Sequence, residues 1–200
     1  MNDSVLVPGM RDVRASLADP DSDLSTCVVA CPPHPQMRGT RSDDRLTAVS
    51  DALYDEGIAS LRFDYGEWDE GKGERTDTLN AIEWATERYD SVGLFGFSFG
   101  GTIALLAATE TNAVACVSAL APTAQISDSD ELNAVDALSD ITCPVQIVYG
   151  ERDSTADWKP VVEQARTLDY VVESMSADHF FVGQNEKVAD RVVEFLVDEL

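Results

Sequence analysis

A chain of 200 residues is long enough for one full-sized hydrophobic core and short for two, so a single domain spanning 1–200 is expected. The 37 Asp and Glu against 14 Lys and Arg leave a net charge of −23, which argues against nucleic acid or an anionic membrane as a partner. A hydrophobic share of 44% is ordinary for a globular protein, and no stretch reaches the roughly 18 apolar residues that span a bilayer.

The acids are spread along the whole chain, and only Lys72, Lys159 and Lys187 represent lysine. That pattern predicts a solvated acidic surface whose self-repulsion needs salt screening, as in a haloadapted protein. The alternative is an acidic protein without salt adaptation. Met1-Asn2-Asp3-Ser4 shows no basic start followed by an apolar run, so no signal peptide and a cytoplasmic location are expected. Cys27, Cys31, Cys116 and Cys143 form no C-x-x-C pair, and buried free thiols are expected.

Val5-Leu6-Val7 before Pro8-Gly9 and the alternating Val13–Leu17 read as the two arms of a hairpin, followed by a polar loop from Asp19 to Ser25. Thr26–Cys31 is continuously apolar, as for a strand buried on both faces. A helix should follow, with Ser42 as N-cap, Leu46, Val49, Leu53 and Tyr54 at helical spacing, and Gly57 as its stop. Ile58–Phe63 is the next strand, and Asp64–Glu74 a loop with three glycines. A helix from about Thr76 to Tyr89 turns Leu79, Ile82 and Trp84 or Ala85 inward.

The stretch Gly93-Leu94-Phe95-Gly96-Phe97-Ser98-Phe99-Gly100-Gly101 combines an apolar strand, a glycine-flanked serine and the start of an apolar helix. Glycine two before and two after a serine is the pattern of a nucleophile elbow. Side chains at Gly96 and Gly100 would collide with backbone at so sharp a turn. The turn also sets the Phe99 amide at a helix start, where a developing oxyanion can be stabilised. Beyond it lie an apolar run from Ala113 to Leu120, a polar stretch from Gln125 to Asp140 with a helical patch near Leu132, Val135 and Leu138, a strand over Pro144–Gly150, a helix over Trp158–Leu168, a strand over Tyr170–Met175 and an amphipathic helix over Asn185–Leu200. This alternation implies a mostly parallel, doubly wound sheet of about eight strands with helices on both faces. The stretch Ala121–Ile141 is too short for a large cap domain.

A serine hydroxyl needs a base to act as a nucleophile. Of the two histidines, His179 lies after the last strand, where the order Ser, acid, His puts the base of an elbow sheet. Asp153 follows the strand ending at Tyr149-Gly150 and is the first choice for the acid, ahead of Glu151 and Asp157. A second oxyanion donor should come from Pro32-Pro33-His34-Pro35-Gln36. Proline has no N–H, so the amide of Gln36, the first free one after Pro35, is chosen over Met37. His34 is expected to shape that loop through its side chain. Trp68, Phe97, Phe99, Trp158 and Phe180, with His34, are candidate walls of a small apolar pocket, although for each aromatic a place in the core or behind the wall is the first expectation. No metal or other cofactor is implied.

Together these features resemble the α/β-hydrolase superfamily over nearly the whole chain. More narrowly, Pro33-His34-Pro35, Arg62-Phe63-Asp64-Tyr65-Gly66, Gly96-Phe97-Ser98-Phe99-Gly100-Gly101, Gly150-Glu151-Arg152-Asp153 and Asp178-His179-Phe180-Phe181 look like the small capless hydrolases similar to dienelactone hydrolases. Ser98 stands where those carry cysteine, and Cys31-Pro32-Pro33 stands where the family has its first histidine. The resemblance implies a serine hydrolase, a carboxylesterase on small acyl esters working through Ser98, His179 and Asp153. A thioesterase or peptidase with the same residues, or a non-catalytic scaffold, are the alternatives. The oligomeric state is left open.

The charge distribution carries its own test. The midpoint of thermal unfolding is expected to fall sharply as salt is dialysed from molar to millimolar concentration, followed by circular dichroism; a midpoint indifferent to salt would sink the salt-adapted reading.

Overall fold

The computed structural model describes residues 2–20, 25–127 and 132–200. Eight strands lie in one sheet: β1 (Asn2–Val7), β2 (Val13–Ala18), β3 (Thr26–Cys31), β4 (Ala59–Asp64), β5 (Ser91–Phe97), β6 (Cys116–Leu120), β7 (Val145–Gly150) and β8 (Val171–Met175). Their order is β1-β2-β4-β3-β5-β6-β7-β8. The hairpin β1–β2 is antiparallel, β2 runs antiparallel to β4, and every other neighbouring pair is parallel. Six α-helices occur among the described residues: α1 (Asp44–Asp55), α2 (Lys72–Thr86), α3 (Phe99–Ala108), α4 (Ala134–Ala137), α5 (Lys159–Thr167) and α6 (Asn185–Glu199). None is long and apolar enough to cross a membrane.

The central strands are apolar on both sides because both sheet faces are covered. Alternation along β3 and β5 divides the core in two. Cys27, Val29, Cys31, Val92 and Leu94 face α2, α3, α4 and α5. Val28, Ala30, Phe95 and Phe97 face α1 and α6, which bring Leu46, Val49, Leu53, Val188, Val192 and Leu196. No large cap rises over the sheet: the described part of the stretch between β6 and β7 holds only α4 and the turn Leu138–Asp140, with Leu132 and Leu138 fully buried. Residues 21–24 of the expected polar loop and 128–131 of that stretch lie outside the described residues.

Three local expectations are corrected. The N-cap of α1 is Asp43, whose Oδ1 accepts the Arg45 amide at 3.0 Å, and not Ser42 one residue earlier. Tyr54 shares the helical spacing but is exposed, because the buried stripe of α1 ends at Leu53. α2 begins at Lys72, four residues before the position expected from its apolar spacing. Its first turns bury Glu74, Asp77 and Thr78, polar residues that an apolar periodicity cannot register.

Those buried carboxylates are tied off. Glu74 accepts the amides of Asp69 and Gly71 at 3.0 and 2.8 Å. Asp77 accepts the Gly66 amide at 2.9 Å and Arg11 Nε at 2.8 Å. Arg11, from the hairpin turn, lies 3.7 Å from Glu74 and also donates to the Glu67 carbonyl. One guanidinium thereby holds the loop between β4 and α2 to the hairpin. Arg11→Met leaves two fully buried carboxylates without a counter-charge, and is expected to cost about 3 kcal/mol in denaturant unfolding at fixed salt. A cost under about 0.5 kcal/mol, the range of an ordinary surface change, would show that the backbone amides alone sustain the pair.

Candidate active site

The turn from β5 into α3 is as tight as the glycines suggest. Ser98 has φ 56° and ψ −120°, a conformation that costs a non-glycine residue roughly 1–3 kcal/mol. Its amide donates to the Leu120 carbonyl at 2.8 Å, and the Thr102 amide donates to its carbonyl at 3.1 Å. A Cβ on Gly96 would sit 2.2 Å from the Gly100 carbonyl oxygen. A Cβ on Gly100 would sit 2.2 Å from the Cys31 carbonyl oxygen and 2.4 Å from that of Pro32. The loop after β3 therefore lies directly on the start of α3.

Parallel order brings three distant residues to the same edge of the sheet. Ser98 follows β5, Asp153 follows β7 and His179 follows β8. Ser98 Oγ is 2.9 Å from His179 Nε2, and His179 Nδ1 is 2.7 Å from Asp153 Oδ2. An ionised carboxylate only accepts, so Nδ1 carries the proton and Nε2 offers a lone pair to the serine hydroxyl. The other carboxylate oxygen, Asp153 Oδ1, accepts the amides of Thr155 and Ala156 at 2.8 and 3.0 Å. The Asp153 side chain is fully buried and that of His179 nearly so. Glu151 accepts the Ser174 hydroxyl instead, and of the three acids it is Asp153 that bonds His179. Burial pushes the Cys31 and Cys116 thiols up to about 12, which keeps them protonated and poorly nucleophilic.

The loop after β3 differs from expectation. Pro35–Met37 forms a short turn of 3₁₀ helix that His34 caps, and the Gln36 amide donates to His34 Nδ1 at 3.3 Å. Gln36 is exposed and does not line the cleft over Ser98. Its amide is thus committed to the loop itself. The amide between Pro33 and Pro35, that of His34, has no acceptor among the described residues. His34 lines the cleft, and its ring lies 4.8 Å from that of Phe99. Burial lowers the His34 pKa, outweighing the opposing pull of Glu74, which keeps Nδ1 free to accept.

The cleft measures about 670 Å³. His34, Phe97 and Phe180 line it with Ser98, Phe99 and His179. Trp68 and Trp158 do not. The Trp68 ring packs behind the wall, 4.6 Å from His34 and 5.7 Å from Phe99. Trp158 stacks on Tyr149 at 4.4 Å and donates its indole N–H to the Asp153 carbonyl at 3.1 Å, so it steadies the acid's loop instead. Sequence reasoning missed Asp43 and Arg45, which both line the cleft from the start of α1. The hint in the sequence was the charged run Asp43-Asp44-Arg45 at the start of that helix. No cluster of three His, Cys, Asp or Glu side chains arranged to hold a metal ion occurs among the described residues.

A family model described as an alpha/beta hydrolase domain matches residues 39–192. No curated protein matches the chain. Among solved structures, the chain is similar to an alpha-beta serine hydrolase homologue from Coxiella burnetii, with 24% identity, 98% of this chain and 97% of that chain covered, and a TM-score of 0.82. It is similar to the esterase Pf2001 from Pyrococcus furiosus, with 19% identity, coverages of 100% and 93%, and a TM-score of 0.81. It is likewise similar to a dienelactone hydrolase from Anabaena variabilis, with 21% identity, coverages of 100% and 98%, and a TM-score of 0.81. At these identities the likeness is one of fold.

The contacts at the elbow predict a contrast between two glycines. Gly100→Ala drives a methyl into backbone oxygens that cannot move alone, and should cost about 3 kcal/mol in denaturant unfolding. Gly93→Ala meets the Leu200 side chain first, at 3.3 Å, and should cost far less. Equal costs at the two sites would contradict the packing described.

Proposed function

We propose that this chain, which belongs to the alpha/beta hydrolase family, is a serine hydrolase that cleaves small acyl esters through a covalent acyl-enzyme. The observation that carries the reading is the unbroken pair of contacts from Ser98 Oγ to His179 Nε2 and from His179 Nδ1 to Asp153 Oδ2. In this reading Ser98 Oγ attacks the ester carbonyl while Nε2 takes its proton. Asp153 holds the ring in the tautomer that leaves Nε2 free, and stabilises the imidazolium that forms. The same Nε2–H protonates the departing alkoxide. Water, deprotonated by Nε2, then attacks the acyl carbonyl, and Ser98 leaves with its proton restored.

The tetrahedral oxyanion is assigned to the backbone amides of Phe99 and His34. Phe99 is the first residue of α3, where an amide has no partner within the helix and the helix dipole favours negative charge. The His34 amide takes the place expected for Gln36. It is the remaining donor in a run where Pro32, Pro33 and Pro35 have none. Each such donor is worth roughly 10²–10³ in turnover. A cleft of about 670 Å³ without a large cap suits a small substrate, and Phe97, Ile126 and Phe180 supply apolar wall.

The reading is tested with a fluorophosphonate and a p-nitrophenyl ester. Wild-type protein should be labelled at Ser98 alone, located by mass spectrometry of the digest. Ser98→Ala should lose labelling and fall in kcat by at least about 10³. A Ser98→Ala variant that turns over the ester at the wild-type rate would rule the mechanism out.

A further inference from the structure

We propose that Arg45 is a positioning residue that clamps the His179 loop onto the end of the strand delivering Ser98. The proposal rests on the reading of Ser98 and His179 given above. Arg45 Nη1 donates to the Phe180 carbonyl at 2.8 Å, joining residues 135 apart in sequence. Its guanidinium carbon lies 4.3 Å from the centroid of the Phe97 ring. Phe180 is the residue after the candidate base, and Phe97 the residue before the candidate nucleophile. One side chain therefore touches the neighbours of both reacting groups and contacts neither group itself.

The guanidinium is itself fixed. Nε donates to Asp43 Oδ1 at 2.9 Å, and Nη2 donates to Asp43 Oδ2. Asp43 Oδ1 also accepts the Arg45 amide, so the acid that caps α1 orients the arginine. The two side chains are mostly buried, at 17% and 9% exposure. A planar fork can hold a carboxylate with one edge while a free N–H points elsewhere, which an ammonium group cannot reproduce. Because Asp43 neutralises the charge and occupies that edge, the arrangement favours holding geometry over capturing an anionic substrate.

The held loop needs such a restraint. Phe181 lies in left-handed backbone, φ 51°, a position unfavourable for a bulky residue. Its ring is fully buried, 6.5 Å from Phe97. Phe97 also meets the His179 ring at 5.4 Å. Phe97 is thus the post against which imidazole, Phe181 and guanidinium all rest. Removing the guanidinium frees the Phe180 carbonyl and opens one side of that post. A displacement of about 1 Å between nucleophile and base can cost on the order of 10² in rate.

The experiment compares wild type with Arg45→Met, which keeps an unbranched apolar stem but removes the guanidinium, and with Arg45→Lys and Arg45→Ala. Arg45→Met should lower kcat by about 10- to 100-fold with KM within about twofold, and slow fluorophosphonate labelling of Ser98 by the same factor. Arg45→Lys should fall between Arg45→Met and wild type. Free guanidinium ion at tens of millimolar should restore part of the labelling rate of Arg45→Ala. Wild-type kcat and labelling in Arg45→Met would overturn the proposal, as would a rise in KM alone, which would mark a substrate contact. Should Arg45→Met not fold, Arg45→Lys decides, and a kcat equal to wild type overturns it. Wild-type protein that resists labelling at Ser98 would instead sink the serine-hydrolase reading, and this proposal with it.

Discussion

Where β5 runs into α3 the backbone folds back so closely that positions 96 and 100 have no room for even a methyl group. The Gly100 Cα faces the carbonyls of Cys31 and Pro32, so the loop leaving β3 is seated on the elbow. That loop is the neighbouring wall of the cleft, since β3 and β5 are adjacent parallel strands. The same tightness forces Ser98 to φ 56°. Such a conformation persists only where the surroundings overdetermine it. Here they are fully buried strands on both sides and a helix start with a glycine pair.

Sheet order does the rest of the long-range work. Running in parallel from β5 to β8, the strands release serine, acid and imidazole at one edge. Each loop is then tied by short-range bonds. The Asp153 loop closes on its own carboxylate through Thr155 and Ala156, and the Trp158 indole holds the Asp153 carbonyl. The His179 loop is pinned by the Phe180 amide on Asp178 and by the Gln184 amide on the Phe181 carbonyl. In the proposed reading, pre-set geometry of this kind would leave little reorganisation for the moment of reaction.

The layered fold and the residues at the sheet edge were largely legible because both follow local rules. Continuous apolar runs such as Thr26–Cys31 and Pro144–Gly150 have few ways to be buried, and a glycine-flanked serine between strand and helix has one familiar geometry. What escaped was polar and long-range. The start of α2 was hidden because Glu74 and Asp77 point inward, held by an arginine more than sixty residues earlier. Gln36 was chosen by counting amides after a proline, but the His34 imidazole claims that amide across two residues. Residue type alone offers Trp68 and Trp158 both to the cleft and to the packing behind it, and the ring partner of each decides for the packing. Arg45 was marked only by its place in a charged run at the start of α1; its contact with Phe180 exists only once α1 packs beside the His179 loop.

Two of these misses, the start of α2 and Arg45, share a cause in where the chain places its cations. It has 37 acids and 14 Lys and Arg, and arginines outnumber lysines eleven to three. Many of those arginines are inward or bridging: Arg11 on Glu74 and Asp77, Arg41 on Asp64, Arg45 on Asp43, Arg191 on Glu173. Meanwhile Asp55, Glu56, Glu83, Glu163, Glu194 and Asp198 stand exposed. Salt acts on these two populations differently. Exposed like charges repel over distances that added ions screen readily, whereas partly buried pairs in contact are screened far less. On this argument raised salt should act on the exposed acids more than on the brackets that hold the hairpin, the loop before α2 and the His179 loop. Strand direction sets the order at the cleft, and the arginine brackets that add to it are the charged contacts that salt weakens least.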